Sequence, residues 1–310
     1  MELSTKGKKI GWIGAGRMGF EMARRLAKGG CDIAVWNRTR TKAEPLAKDG
    51  AKIVDSLKEL AGCDIVFCMV STYDDVKEVI AGPKGLLSGS TKPRMVVECS
   101  SISLEGSAEL RKILAARGVE LLSAPVSGNA KVIKAGKLTF VVSGPKAAYD
   151  QASPYLAMMG QGSSYVGEGE LSRIVKICHN VMLGVVTQCM AEITVLAEKA
   201  GVPRHAFLDF LNKSVMGSTF TRYKAPAFVN LDFHVTFTPY LLRKDLDLGL
   251  EAGRKFEVPM PLAAITRDLI QSMMGRGMTE EDFSTLLVQQ AQASGIRLKP
   301  ENVAVGDGLS

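Results

Sequence analysis

The sequence predicts an α/β domain built on a parallel sheet, followed by an all-α domain. Three observations carry this prediction: short apolar runs alternate with amphipathic stretches up to about residue 166, a glycine-rich turn follows the first run, and the alternation gives way to helical periodicity after Gly169. Strands and helices that alternate at this spacing are typical of βαβ units with helices on both faces of a sheet. The chain has 310 residues, which suits two domains of about 150 residues. We place them at residues 1–167 and 168–310.

Eight apolar runs predict the strands of the first domain. They are IGWIG (10–14), CDIAVWN (31–37), AKIV (51–54), DIVFCMV (64–70), MVVECS (95–100), VELLS (119–123), LTFVVSG (138–144) and SSYV (163–166). Helical periodicity lies between several of them, as in FEMARRLAKGG (20–30) and LEGSAELRKILAARG (104–118). These elements predict a single parallel sheet with helices packed on it.

The second domain is predicted to begin with one long helix. Residues 171–200 contain no proline and no β-type alternation, and the segments 203–213, 240–256 and 262–275 also have helical periodicity. The second domain should therefore be all-α. The tail, residues 297–310, has no periodic pattern, and we expect it to be loose.

The charge of the chain is concentrated in its first half. Lys and Arg number 39 against 32 Asp and Glu, a net charge of +7, and residues 1–166 hold 24 of these basic and 16 of these acidic residues. Such an excess of positive charge is expected in a protein that binds nucleic acid, an anionic substrate or a phosphate-bearing cofactor. It is also compatible with a solvated surface that binds no partner. The chain has no basic tail and no basic patch interleaved with aromatic residues, so we expect no nucleic-acid partner.

The composition and the cysteine spacing indicate the class of protein and the cellular compartment to expect. With 46% apolar and 23% charged residues, the chain is of the globular rather than the disordered or collagen-like class. The six cysteines lack the CxxC spacing and the histidine partners of a zinc site, and they are typical of a reducing compartment. No apolar run approaches the ~18 residues of a membrane span. We expect a soluble cytoplasmic protein without a metal or a membrane partner.

The glycine-rich turn predicts a dinucleotide site. It follows an apolar strand, opens an amphipathic helix and reads Gly14-Ala15-Gly16-Arg17-Met18-Gly19. In this context the first glycine allows the tight turn, the second lets the backbone approach a pyrophosphate, and the third lets the helix pack closely on the strand. The phosphates would lie at the helix N-terminus.

The end of the second strand bears on which cofactor is used. Where a fold specific for NAD usually carries an acidic residue, the chain has Asn37-Arg38-Thr39-Arg40, with Lys42 beyond. An arginine here suits a 2′-phosphate, so NADP(H) is favoured and NAD(H) remains possible. The alternative is a basic turn with no ligand.

The long helix carries two polar residues on one face. Lys176 and Asn180 are four residues apart and lie one turn above the other. This face either reaches solvent, as lysines in apolar helices often do, or lines a cleft. In a partly dry cleft, desolvation lowers the pKa of a lysine toward neutrality, which suits a general acid or base.

Four motifs in order resemble the β-hydroxyacid dehydrogenase family, which includes 3-hydroxyisobutyrate dehydrogenase, tartronate semialdehyde reductase and, more distantly, 6-phosphogluconate dehydrogenase. They are the residues 14–19 with Asn37-Arg38-Thr39, the segment Ala124-Pro125-Val126-Ser127-Gly128, the segment Lys176-x-x-His179-Asn180, and Lys244-Asp245-Leu246. The resemblance covers about residues 9–295. It implies an N-terminal Rossmann dinucleotide-binding domain, a long interdomain helix, an all-α C-terminal domain and assembly as a homodimer or homotetramer.

The resemblance also implies roles for individual residues. Lys176 would be the catalytic acid/base and Asn180 its substrate-orienting partner, and both would contact a small carboxylic-acid substrate. The acid group of that substrate would meet Ser127, Gly128 and Asn129. The cofactor would contact Gly14, Ala15, Gly16, Arg17, Met18, Gly19, Asn37, Arg38, Thr39, Met69, Val70, Ser71, Asp75, Ser101, Lys244 and Asp245.

The implied reaction is hydride transfer between NADP(H) and a small β-hydroxy acid or aldehyde acid. Asn129 stands where the family usually has glycine, which puts the choice of substrate in question. Imine reduction and oxidative decarboxylation are alternative reactions of related enzymes. A catalytically inactive, cofactor-binding or nucleic-acid-associated scaffold is the non-enzyme alternative.

Overall fold

The structure is a computed structural model that describes residues 7–309. It divides into two compact units, one ending at Lys176 and the other beginning at Ile177. This division lies within the long helix α6 (Leu171–Lys199). The domain boundary at residue 167 stays a prediction.

From residue 7 onward the first unit contains nine strands, and one of them overlaps each of the eight apolar runs. The strands are β1 (Lys9–Ile13), β2 (Asp32–Trp36), β3 (Lys52–Ile53), β4 (Ile65–Cys68), β5 (Met95–Glu98), β6 (Glu120–Ser123), β7 (Val126–Ser127), β8 (Thr139–Val142) and β9 (Gly162–Tyr165). The helices are α1 (Arg17–Lys28), α2 (Tyr73–Ala81), α3 (Leu104–Ala116), α4 (Ala130–Lys134) and α5 (Lys146–Met159).

Strands β1 to β6 form one parallel sheet in the order β3-β2-β1-β4-β5-β6. This is the order of a Rossmann sheet, in which ligands bind beyond the carboxyl ends of the strands where the order reverses, between β1 and β4. The predicted α/β class is therefore confirmed.

The last two predicted strands do not join this sheet. They form a second sheet with β7 in the order β7-β8-β9, in which β7 and β8 are antiparallel and Val126 pairs with Phe140. The single sheet expected from the sequence is wrong at this point. A parallel crossover needs a dozen or more residues, and the connection from β7 to β8 holds only the five-residue helix α4, so the chain returns antiparallel.

Alternating residues of the strands feed two cores, one on each face of the parallel sheet. Ile10, Trp12 and Phe67 belong to one core, and Ile13 and Val66 belong to the other; all five are fully buried. Trp12 stacks on Phe67 with ring centroids 5.6 Å apart. Burial on both faces explains why these strands are continuous apolar runs.

In its described residues the second unit contains helices and no strand, as predicted. After α6 it contains α7 (Arg204–Lys213), α8 (Thr219–Asn230), α9 (Pro239–Lys255), α10 (Pro261–Gly275) and α11 (Leu286–Ala293). Its core includes Phe228, Leu242, Leu246 and Ile270. Helix α6 is long and apolar enough to cross a bilayer by length and composition, but half of its most apolar window is buried inside the protein, as in the core helix of a globular fold.

The tail is attached to the helices, so the expectation that it is loose is wrong for its described part. The Glu301 carboxylate accepts hydrogen bonds from the backbone N–H groups of Arg204 (2.7 Å) and His205 (2.9 Å) at the start of α7. Asn230 donates to the carbonyl of Val303 at 2.8 Å. These are long-range contacts of an irregular segment, which leave no periodic trace in the sequence.

Candidate active site

A cleft of about 740 Å³ lies at the carboxyl ends of β1, β2 and β4. This is the position at which a Rossmann sheet binds its ligand. Twelve of the sixteen residues predicted to contact a cofactor line it: Gly14, Gly16, Arg17, Met18, Gly19, Asn37, Arg38, Thr39, Met69, Val70, Ser71 and Asp75. The structure thus brings together three segments that lie far apart in the sequence.

Two of the three glycines are required by close backbone contacts. Gly14 has a φ of +100°, and a Cβ atom there would stand 2.1 Å from the carbonyl oxygen of Met69. A Cβ on Gly19 would stand 2.1 Å from the carbonyl oxygen of Gly14. The first glycine therefore makes the turn and the third lets α1 approach β1.

Gly16 differs from the other two because a Cβ there would meet no atom within 4 Å. It is the N-cap of α1, and no side chain caps the free N–H groups of that helix. An uncapped helix N-terminus that opens into a cleft beside an empty Cβ position fits a diphosphate group, which such N–H groups bind well. The residues present therefore suit a dinucleotide.

Asn37 connects two loops of the cleft by hydrogen bonds. Its Oδ1 accepts from the N–H of Ala15 at 2.8 Å, and its Nδ2 donates to the carbonyl of Thr39 at 2.7 Å. Ala15 does not line the cleft, and this hydrogen bond is its link to the site. One side chain thus fixes the glycine-rich turn against the turn after β2.

Two arginines of the turn after β2 pair with acids that line the cleft. Arg38 lies 3.2 Å from Asp75, and Arg40 lies 2.6 Å from Asp55. Asp75 also forms a capping box with Thr72 at the start of α2. Asp75 therefore holds both a helix terminus and an arginine.

Residues after β5 reach the cleft through a hydrogen bond. The buried Ser100 accepts from the N–H of Val70 at 2.9 Å through its Oγ. Ser101, which was predicted to contact the cofactor, is exposed and does not line the cleft. The buried serine next to it is the one that touches a cleft residue.

The predicted substrate segment lies at β7 and the turn that follows. Gly128 has a φ of +136°, and a Cβ there would stand 2.8 Å from the side chain of Val132. Asn129 is the N-cap of α4, and its Oδ1 accepts from the N–H of Val132 at 3.1 Å. The side chain that departs from the family pattern thus has a local structural use.

Helix α6 contains both predicted catalytic residues. Lys176 is half-buried. Asn180 is buried, and its Nδ2 donates to Asp245 at 2.6 Å, while His179 Nδ1 lies 2.9 Å from its Oδ1. Lys244 lies 3.6 Å from the Asp245 carboxylate. Asp245 therefore orients the amide of Asn180.

The sequence did not single out several residues that the structure places at or beside the site. Asp55, Ser56, Leu57, Glu78, Val79, Pro83 and Lys84 line the cleft. The first three follow β3 and lie at the same sheet edge as the other loops, which is a signal that could have found them. Glu98 and Arg173 form a buried ion pair beside the site; Glu98 is the single charge of the apolar run 95–100, which is a signal that could have found it.

The Rossmann sheet, the glycine-rich turn and the cleft define a dinucleotide-binding α/β protein. Residues 9–169 match the family described as the NAD binding domain of 6-phosphogluconate dehydrogenase, and residues 170–289 match the one described as NAD-binding of NADP-dependent 3-hydroxyisobutyrate dehydrogenase. The two matches together cover residues 9–289.

Individual proteins are similar over nearly the whole chain. Glyoxylate/succinic semialdehyde reductase 2 of Arabidopsis thaliana is 30% identical over 90% of this chain and 78% of its own. The 2-(hydroxymethyl)glutarate dehydrogenase of Eubacterium barkeri is 31% identical over 94% of this chain and 97% of its own. The cytokine-like nuclear factor N-PAC of Xenopus tropicalis is 31% identical over 90% of this chain but only 52% of its own.

The fold is shared with a solved structure, that of 3-hydroxyisobutyrate dehydrogenase from Salmonella typhimurium. The TM-score is 0.79 at 25% identity, over 91% of this chain and 99% of that one. The chain belongs to the β-hydroxyacid dehydrogenase family, whose members are NAD(P)-dependent oxidoreductases that act on CH–OH groups. The family inferred from the four motifs is confirmed.

Proposed function

We propose that the protein transfers a hydride between NADP(H) and a small β-hydroxy acid or aldehyde acid, with Lys176 as the general acid/base. The observation that carries the proposal is the cleft at the β1/β4 switch point, with its uncapped helix N-terminus, in the same unit as the half-buried Lys176. Two relatives support the substrate class, because their names specify a semialdehyde reductase and a hydroxymethyl-acid dehydrogenase.

The nicotinamide supplies or accepts the hydride when it is bound. In the direction of reduction, the Lys176 ammonium donates a proton to the substrate oxygen; in oxidation, the neutral amine accepts it. Asn180, held by Asp245, orients that oxygen through its amide. Ser127 and the backbone at Gly128 bind the substrate carboxylate.

The test of this assignment is Lys176→Met. General acid–base catalysis contributes about 10²–10⁴-fold, so kcat should fall by at least that factor in a screen of C3–C6 hydroxy acids and aldehyde acids. The Kd for the cofactor should stay near the wild-type value. A variant with wild-type turnover refutes the role of Lys176.

We propose that NADP(H) is preferred because Arg38 can turn from Asp75 to a 2′-phosphate. The Arg38 side chain is 79% exposed, and an exposed ion pair contributes only about 0–1 kcal/mol. A charge-assisted hydrogen bond to phosphate contributes about 1.5–3 kcal/mol. The exchange of one partner for the other is therefore favourable.

Arg38→Ala tests this preference. It should weaken NADP(H) binding about 10–100-fold and leave NAD(H) binding unchanged. Arg24→Ala is the matched control, because Arg24 pairs with Asp49 outside the cleft. Wild-type protein that binds NAD(H) at least tenfold tighter than NADP(H) contradicts the preference.

A catalytically inactive, nucleic-acid-associated scaffold is the second candidate. Its support is the similarity to a nuclear factor together with the basic first half. Retention on DNA that falls steeply with salt, combined with no reductase activity across the same screen, favours this candidate over the enzyme. Activity that depends on Lys176 excludes it as the main function.

We also propose that the protein is a homodimer or homotetramer in the cytoplasm. Helix α6 exposes Met182 (67%) and Leu196 (70%) on one face, and such residues in closed oligomers are covered by a second subunit. All six cysteines are unpaired, as is usual in a reducing compartment. Light scattering should give a dimer or tetramer, and Met182→Glu with Leu196→Glu should dissociate it; a wild-type monomer contradicts the proposal.

A further inference from the structure

The start of α6 is held in the first unit by a buried ion pair. Arg173 is 2% exposed and Glu98, the last residue of β5, is 0% exposed. The Arg173 guanidinium hydrogen-bonds to Glu98 Oε2 and donates to the carbonyl of Ser100 at 2.5 Å. A third N–H points to Ser107 Oγ at 3.4 Å. The planar guanidinium group of Arg173, with its forked set of N–H donors, therefore faces three acceptors: a carboxylate, a carbonyl and a hydroxyl.

The same glutamate is linked to the wall of the cofactor cleft. Glu98 Oε1 accepts from the N–H of Ser100 at 2.6 Å, and Ser100 Oγ accepts from the N–H of Val70 at 2.9 Å. Val70 lines the cleft. An unbroken chain of hydrogen bonds thus runs from the cleft through Ser100 and Glu98 to Arg173.

Neighbouring residues of α6 are fixed to the sheet as well. Ser172 Oγ donates to the carbonyl of Ser123 at the end of β6 at 3.0 Å, and the Ser172 N–H donates to Ser143 Oγ at 3.1 Å. Just before the helix, Glu170 accepts from Arg111 at 2.7 Å. The first turn of α6 is therefore fixed in both position and rotation.

Lys176 is three residues after Arg173, less than one helical turn along. We propose that the Glu98–Arg173 ion pair is a positioning element that holds the turn bearing Lys176 against the end of β5, so that the lysine keeps one orientation toward the cofactor cleft. This proposal rests on the proposed role of Lys176. The pair acts through the lysine and does not itself touch substrate.

The chemistry of the pair favours positioning over stability. A buried ion pair is often no more stabilising than apolar residues of the same volume, because desolvation offsets the attraction between the charges. The planar arginine fork does fix direction, since its N–H groups must meet their acceptors together. An apolar pair would fill the same space but would leave the rotation of α6 less well defined.

The test removes both charges at once, in Glu98→Leu with Arg173→Met, so that no lone charge stays buried. The expected result is a kcat lowered about 10–100-fold, because small misplacements of a catalytic group cost up to about 10²-fold. In Arg173→Lys the substrate KM and the cofactor Kd should change less than about threefold, because the hydrogen bonds of Glu98 to Ser100 and of Ser100 to Val70 remain in place. Arg173→Lys keeps the charge but not the fork, and it should lie between the double variant and the wild type.

Lys224→Met is the matched control. Lys224 forms an equally buried ion pair with Asp282 (3% and 2% exposed) in the second unit. It should lower the melting temperature but leave kcat unchanged when assayed well below that temperature. A similar loss of kcat in this control would mean that the fall in kcat of the Glu98 and Arg173 variants comes from general destabilisation, which overturns the proposal.

Combination with Lys176→Met separates this proposal from the proposed function. If Arg173 acts through Lys176, then Arg173→Lys should not further lower the residual kcat of Lys176→Met; an additive loss overturns the positioning role. Folded Arg173→Lys and double-variant proteins with wild-type kcat and a wild-type pH profile of kcat also overturn it, even when Lys176→Met is inactive. Full activity of Lys176→Met instead overturns the proposed function, whatever the Arg173 variants do.

Discussion

Gly16 and Gly19, in the turn between β1 and α1, have separate roles. Alanine at Gly19 should mainly lower stability, whereas alanine at Gly16 should mainly weaken cofactor binding. At Gly16 the backbone φ is −72° and a Cβ meets no atom within 4 Å. At Gly19 a Cβ would stand 2.1 Å from the Gly14 carbonyl oxygen, which also accepts from Trp12 Nε1 at 2.8 Å. Both substitutions add one methyl group, but only the second collides with the backbone.

The structure sets the size of each effect. Gly19→Ala must displace α1 or the turn, which costs about 1–3 kcal/mol for overpacking and about 1 kcal/mol for a weakened hydrogen bond. At about 2–4 °C per kcal/mol, the melting temperature of the unliganded protein should fall by about 4–16 °C. Gly16→Ala loses slightly as an N-cap but restricts the unfolded chain, so its stability should stay within about 0.5 kcal/mol of the wild type.

Cofactor binding should be weakened by Gly16→Ala, the variant that leaves stability nearly unchanged. The methyl group of Gly16→Ala occupies the space in front of the free N–H groups of α1, where the diphosphate is expected. Loss of one charge-assisted hydrogen bond costs about 1.5–3 kcal/mol, which corresponds to about 10–100-fold in Kd. The assays are thermal unfolding without cofactor and a fluorescence titration with NADPH.

Gly62→Ala is the control, because Gly62 also has open space around its Cβ position but lies outside the cleft. It should change neither the melting temperature nor the Kd. Separate roles for the two glycines are refuted if Gly16→Ala binds NADPH as tightly as the wild type, or if it lowers the melting temperature as much as Gly19→Ala.

Three further predictions concern the rest of the chain. Lys224→Met leaves Asp282 buried without its cation, so the free energy of unfolding measured in urea should fall by about 3–5 kcal/mol; a loss under 1 kcal/mol contradicts the burial of the pair. Burial alone would raise the pKa of Asp282, but Lys224 and hydrogen bonds outweigh it and lower that pKa. The stability from this carboxylate is thus complete above its ordinary pKa of about 4 and is lost as pH falls through the lower folded value; Asp282→Asn should flatten the fall in melting temperature between pH 5 and pH 2, on the same basis. Burial also raises the pKa of the Cys68 thiol, so mass spectrometry after brief native alkylation should find Cys68 unlabelled, and early label on Cys68 contradicts the fold.

The strands of the Rossmann sheet and the glycine-rich turn could be predicted because their signals are local. A strand buried on both faces must be apolar along its whole length, and the 65–68 segment shows this in four consecutive residues. The turn needs glycine where φ is positive or where a backbone atom approaches, as at Gly14. These requirements act on neighbouring residues, so a single sequence records them.

The partners of the charged residues could not be predicted in the same way. The turn after β2 predicted arginines facing a phosphate, but the structure shows Arg38 with Asp75 and Arg40 with Asp55. The separations along the chain are 37 and 15 residues, and no periodicity connects such residues. The attachment of the tail through Glu301 was missed for the same reason.

The order of strands and helices, the position of the dinucleotide turn and the family can all be inferred from the amino-acid sequence, because each depends on patterns within a few residues or on motifs in a fixed order. Three features become visible only in the folded chain: the last two strands leave the main sheet, Asn37 hydrogen-bonds to the glycine-rich turn, and Glu98 pairs with Arg173 beside the turn that bears Lys176. Those features depend on which distant groups must satisfy each other once water is excluded. Buried charges and hydrogen-bonding groups find their partners in space, and the linear chain does not record that pairing.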